Sequence, residues 1–165
     1  MTRSDEVVRA STVVAAAPDD AFRLFTDEVD AWWRRGPRFR FRPGADGVMR
    51  FEGEAGGRLV EAFDAAGEDV YEVGRILAWE PPGRLCFEFR ARAFAPGETT
   101  RVEIRFEAVA QGTRVVVEHA GFEAFAADHP VRHGLVGPAF GAMMGSWWAD
   151  LLLAARRRAA ERSAA

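Results

Sequence analysis

Glu61 and His119 are the two residues of this 165-residue chain that combine an acid/base side chain with an apolar setting. Glu61 stands two positions from both Leu59 and Phe63 in RLVEAF. His119 stands two from Val117 and four from Val115 in RVVVEHA. Residues two apart in an extended chain share a face, so both side chains are expected to turn inward. A carboxylate and an imidazole in one apolar cavity would make an acid/base unit. Apart, each reads as a ligand anchor or as a buried polar group hydrogen-bonded to its neighbours; the structural reading ranks first and the catalytic one last. Glu72 is harder to place, because Tyr71, Val73, Leu77 and Trp79 form the alternative face of its segment. Arg75 is a candidate partner for a carboxylate that burial would otherwise penalise. A bulge at Gly56-Gly57 or at Gly74 would instead carry these carboxylates to the rim.

The remaining reactive types carry weaker patterns. His129 and His133 in HPVRH have the i, i+4 spacing of two metal ligands on a helix, but Pro130 lies between them and no third ligand is near in sequence, so no metal is expected. Cys86, the single cysteine, reads as outward-facing between Arg84 and Glu88, with nothing beside it to activate a thiol. Ser146 lacks the strand–turn–helix setting of a nucleophile elbow. GEAGG precedes a strand and not a helix, so it is no phosphate loop. In RFRFRP (38–43) three arginines alternate with Phe39 and Phe41. Arginine among aromatics is a way to grip single-stranded nucleic acid. Strict alternation, however, sends rings and guanidinium groups to opposite faces, so a strand with buried phenylalanines and solvated arginines is expected.

The elements that would position these residues follow from periodicity. VVRASTVVAA (7–16) reads as a strand. Pro18 with Asp19 and Asp20 starts one or two short helices that end near Arg34. Period-two segments follow at 38–42, 48–52, 58–63, 70–80, 84–94, 99–109 and 114–122, separated by turns, which is an antiparallel meander. From Pro138 the apolar residues Phe140, Met143, Met144, Trp147, Trp148, Leu151, Leu152 and Ala155 mark one helical stripe. A helix over 138–162 would be about 37 Å long. Gly141 and Gly145 on it would either admit close packing on the sheet or leave room for a ligand.

Composition bounds the function. Apolar residues make up 48% and aromatics 12%, as in a globular protein. All 22 basic residues are arginine, yet net charge is -3, so no global field draws nucleic acid or anionic lipid. A lone cysteine and the absence of an apolar leader point to a reducing, cytoplasmic setting. The most apolar stretch, 139–155, is short for a membrane span and contains Asp150. The chain is expected to form a single domain over 1–165, with an ordered core of about 6–162.

Several landmarks carry a resemblance: Gly56-Gly57-Arg58, Glu61, Gly74, Trp79-Glu80-Pro81-Pro82 with Arg84-Leu85, Gly112-Thr113 and His119-Ala120-Gly121-Phe122. Across nearly the whole chain they resemble the SRPBCC (START-like, pollen-allergen-like) superfamily, and within it the bacterial branch named after the activator of heat-shock-protein-90 ATPase. The resemblance implies an α+β helix-grip fold: a curved antiparallel β-sheet wrapped around a long C-terminal helix, with two short helices after the first strand. It also implies a cavity between sheet and helix that binds a hydrophobic or aromatic small molecule. The expected lining is Trp32, Phe41, Phe51, Glu61, Phe63, Phe87, Phe89, His119, Phe140, Met144 and Trp147. No cofactor, nucleic-acid partner or membrane is implied, and a monomer or homodimer is expected. Binding ranks above two alternatives. One is a cyclase- or hydrolase-like enzyme using Glu61 and His119. The other is a chaperone-interacting protein; it ranks lower because the eukaryotic activator carries an extra N-terminal domain and only six residues precede the first strand here.

Overall fold

A computed structural model describes residues 7–164; the first residue of the expected ordered core, Glu6, and the last of the expected domain, Ala165, lie outside them. Among these residues seven strands form one antiparallel sheet in the order β1-β7-β6-β5-β4-β3-β2. They are β1 (Val8–Val14), β2 (Val48–Glu52), β3 (Arg58–Ala62), β4 (Val70–Glu80), β5 (Arg84–Phe89), β6 (Thr100–Val109) and β7 (Gly112–Ala120). Helices α1 (Pro18–Asp27) and α2 (Val29–Trp32) carry the chain from β1 on one edge to β2 on the other, and α3 (Gly137–Ala164) closes the fold. This is the expected helix-grip arrangement. Pro18 starts α1 with Asp19 and Asp20 in its first turn, where the helix dipole favours acids. The buried stripe of α3 is Phe140, Met144, Trp148, Leu151, Leu152, Ala155 and Ala159, with Met143 and Trp147 only half-buried beside it.

Alternation holds where one face of a strand meets the core. In β7, Thr113, Val115, Val117 and His119 are all fully buried. It fails in β3, where Leu59, Val60, Glu61 and Ala62 are all buried. There the register against β4 slips by one residue between Leu59 and Val60. Gly74, opposite Leu59, sits so close to β5 that a Cβ would lie 1.8 Å from the Glu88 carbonyl oxygen. The bulge therefore exists, yet it leaves Glu61 inside rather than at the rim. Glu72, half-buried, takes Arg90 as its partner at 3.1 Å, and the expected partner Arg75 reaches the Gly56 carbonyl instead.

Three local expectations are corrected. Residues 38–42 are not a strand. The chain turns at Gly36, whose carbonyl accepts from Phe39 N (3.1 Å) and Arg40 N (2.9 Å), and Arg40 is 4% exposed rather than solvated. The segment expected at 84–94 leaves the sheet after Phe89 and turns at residues 91–94, closed by Phe94 N donating to the Ala91 carbonyl. Cys86 is buried although it lies opposite the Leu85–Phe87 face, between Ala78 and Glu103 of the flanking strands. Burial raises its thiol pKa, which suits an inert side chain.

Candidate functional site

The space under the middle of α3 is filled. Phe25, Trp32, Trp33, Phe87 and Trp148 are fully buried there, with ring centroids 4.9 Å apart for Phe25–Trp32 and 5.5 Å for Trp32–Trp33. Open volume remains at one end, as a cleft of about 400 Å³. One wall is the turn at residues 37–41, a second is the end of β5 with residues 91–93, and a third is the N-terminal half of α3. Phe122, Val131 and His133 close the end. The large apolar side chains along these walls are Phe39, Phe41, Phe89, Met143, Met144 and Trp147. Trp147 stands edge-on to Phe89 with centroids 5.9 Å apart, and its Nε1 donates to the Arg38 carbonyl at 2.9 Å. An ion pair between Arg38 and Asp150 also ties the turn to α3.

Glu61 holds the turn in place from behind. Its Oε1 accepts from Phe41 N at 3.1 Å, and its Oε2 accepts from Gly47 N at 2.8 Å and from Arg40 Nη1 at 3.3 Å. Arg40 uses all five of its N–H groups. Nε donates to the Arg34 carbonyl, Nη1 to Glu61 and the Gly47 carbonyl, and Nη2 to the Trp33 carbonyl and Asp30 Oδ1. Asp30 Oδ1 also accepts from Met49 N at 2.9 Å. Gly47 must be glycine for this chain path, since a Cβ there would lie 2.4 Å from the Ala62 carbonyl oxygen. Glu61, Arg40 and Asp30 together thus join α2, the turn, β2 and β3.

His119 belongs to a separate relay. Trp148 Nε1–H donates to its Nδ1 at 3.1 Å, so the proton sits on Nε2, which faces Thr100 Oγ1 at 2.7 Å. The Thr100 hydroxyl then donates to the Phe89 carbonyl at 3.2 Å. Every group has its partner when the ring is neutral. A second ring proton would point at the indole N–H. Complete burial lowers the imidazole pKa to about 3, in agreement with a neutral structural role.

Glu61 and His119 therefore do not pair with each other, and neither lines the cleft. Of the expected lining residues, Phe41, Phe89, Met144 and Trp147 line it. Trp32 and Phe87 belong to the filled interior. Phe51 packs between Trp79 and Phe87, and Phe140 against Phe122. Phe63 lies past the end of β3, with the Arg42 guanidinium 3.7 Å above its ring. Lining residues that were not expected include Phe39, Met143, Arg38, Arg92 and His133, besides Arg40, Phe122 and Val131. The inward phase of Phe39 with Phe41 was a signal for the first, and the α3 stripe for the second. Arg38, Arg92 and His133 stand on turns and loops, where no period marks a direction.

The other candidates resolve locally. HPVRH forms a single 3-10 turn, Pro130–Arg132, so its histidines do not share a helix face. His129 Nδ1 accepts from Val131 N and its Nε2 meets Glu98 at 2.9 Å, while His133 adopts φ 48°. Among the described residues no group of three or more His, Cys, Asp or Glu could hold a metal ion, and no helix is long and apolar enough to cross a membrane. Gly141 and Gly145 do not mediate close packing, since a Cβ at either would meet nothing within 4 Å.

Comparison with known proteins agrees with this fold. No curated protein matches the chain in sequence. Among solved structures it resembles protein MLL2253 from Mesorhizobium loti, with a TM-score of 0.64 at 17% identity over 95% of this chain and 98% of that one. It also resembles the Aha1 dimer from Colwellia psychrerythraea, with a TM-score of 0.60 at 15% identity over 91% and 92%. An anthrahydroquino-γ-pyrone synthase, Txn09, solved in complex with SUM, aligns with a TM-score of 0.50 at 28% identity over 86% of each chain. Residues 15–137 match the family described as "Activator of Hsp90 ATPase homolog 1-like protein". With that match over well more than half its length, on a seven-stranded helix-grip frame, the chain belongs to the activator of Hsp90 ATPase homolog 1-like family of the START-like superfamily.

Proposed function

We propose that this protein binds a hydrophobic, aromatic small molecule in the cleft between the turn at 37–41, the end of β5 and the N-terminal half of α3. The observation that carries this reading is a space of about 400 Å³ whose walls include four Phe, two Met and one Trp. That volume lies within the range of small-molecule sites, and methionines adapt to varied ligand outlines. The similarity to a synthase named for an anthrahydroquino-γ-pyrone, a fused aromatic system, supports a ligand of this class. Binding ranks above catalysis because Glu61 and His119 are saturated by partners within the fold.

The test is titration with a neutral fluorescence quencher, 2-anthracenemethanol. Saturable quenching is expected, and Trp147→Phe should remove the share that this indole contributes, with Trp33 and Trp148 beside it supplying the rest. Met143→Arg places a charge on the apolar wall and should weaken binding at least tenfold, with an unchanged urea midpoint because Met143 is only half-buried. Equal affinity in that variant would overturn the site. Absence of binding by the wild-type protein would favour the chaperone-interaction reading.

A further inference from the structure

The ionic side chains that line the cleft are all arginine, with one histidine beside them. Arg38, Arg40, Arg92 and His133 line it, and no aspartate or glutamate does. This contrasts with the net charge of -3 on the whole chain. Two of these arginines are already matched within the fold. Arg38 faces Asp150, and Arg40 lies between Asp30 and Glu61. Even Arg90, two residues before Arg92, is held by Glu72. Arg92 differs: it is exposed on the loop after β5, and its side chain makes no hydrogen bond or ion pair among the described residues. His133, on the loop before α3, likewise makes none.

We propose that the cleft selects aromatic ligands that carry an anionic oxygen, a carboxylate or a phenolate, with the ring against the wall that Phe39, Phe89 and Trp147 form and the anion against Arg92. This rests on the aromatic-ligand reading above. A ring enclosed by apolar walls leaves its substituents at the mouth, where the guanidinium stands. Guanidinium is weakly hydrated and matches a carboxylate with two parallel donors. The apolar wall beside it lowers the local dielectric and strengthens the attraction relative to open water. Because Arg92 remains solvent-accessible, the preference is moderate and falls with salt.

The experiment compares 2-anthracenecarboxylate with 2-anthracenemethanol on the full chain, read by tryptophan quenching at low and high salt. The carboxylate should bind at least fivefold tighter at low salt, and the gap should narrow in 0.5 M NaCl. Arg92→Gln should erase the gap by lowering the affinity of the carboxylate to that of the alcohol. Arg92→Lys should keep part of it, and Arg114→Gln, on the distant strand β7, should keep all of it. Equal binding of both probes to the wild-type protein overturns the charge preference and leaves the aromatic cleft standing. Binding of neither overturns both. A loss of both probes in Arg92→Gln would make Arg92 only part of the wall and would also overturn the preference.

Discussion

Arg40 shows how the surroundings of one residue reverse the meaning of its type. Alternation gave it a solvent-facing role, in which replacement changes stability by no more than about 0.5 kcal/mol. In the fold its side chain is 1% exposed and lies between two carboxylates. Arg40→Ala leaves Glu61 buried with an uncompensated charge and frees the carbonyls of Trp33, Arg34 and Gly47. Loss of one partner from a buried ion pair costs about 3–5 kcal/mol. Urea melts should show a destabilisation of that size, together with weaker probe binding because the turn forms a cleft wall. A change below about 1 kcal/mol would show that the network contributes little.

Glycines separate two kinds of element. In β4, Gly74 lets the backbone approach β5 at the bulge, and a Cβ would collide with the Glu88 carbonyl. Gly74→Ala should destabilise by about 1–3 kcal/mol, as overpacking does. On α3, a Cβ at Gly145 meets only open space. Gly145→Ala should stabilise by up to about 1 kcal/mol through helix propensity alone. Thermal melts of the two variants are expected to move in opposite directions, and a shift of the same sign would contradict the close approach seen at the bulge.

For the whole molecule, His119 makes the stability of the sheet and of α3 depend on one neutral ring. Its pKa is lowered to about 3 by burial, whereas an unfolded histidine titrates near 6.5. Below about pH 6.5 the unfolded chain takes up a proton here and the folded chain does not. The stability contributed is therefore fully present above that pH and is lost as pH falls toward 3, by up to about 1.4 kcal/mol per pH unit. Urea melts between pH 6.5 and 5 should show this slope, and His119→Asn, which cannot titrate, should flatten it. Identical slopes in the two proteins would mean that the ring accepts a proton without leaving its relay.

What could be read from the order of residues is what depends on near neighbours. The strands over 48–52 and 70–80, those read at 99–109 and 114–122 and found at 100–109 and 112–120, the stripe of α3, and the inward phase of Phe39, Phe41 and His119 are periodicities of two or 3.6 residues. Landmarks such as Gly74 and Gly112-Thr113 carried the fold through resemblance. Three other features were decided only when the chain closed. Arg40 is buried because Asp30 and Glu61, 10 and 21 positions away, meet it in space. Glu61 and His119 share an inward sense but end in separate networks, because α3 brings Trp148 to the histidine and the turn at 36–42 covers the carboxylate. The cleft lies beside the N-terminal half of α3 because large aromatics fill the rest of the interior. Periodicity states which way a side chain leaves the backbone; the partner of a buried charge and the volume left unfilled depend on which distant side chains arrive at the same place.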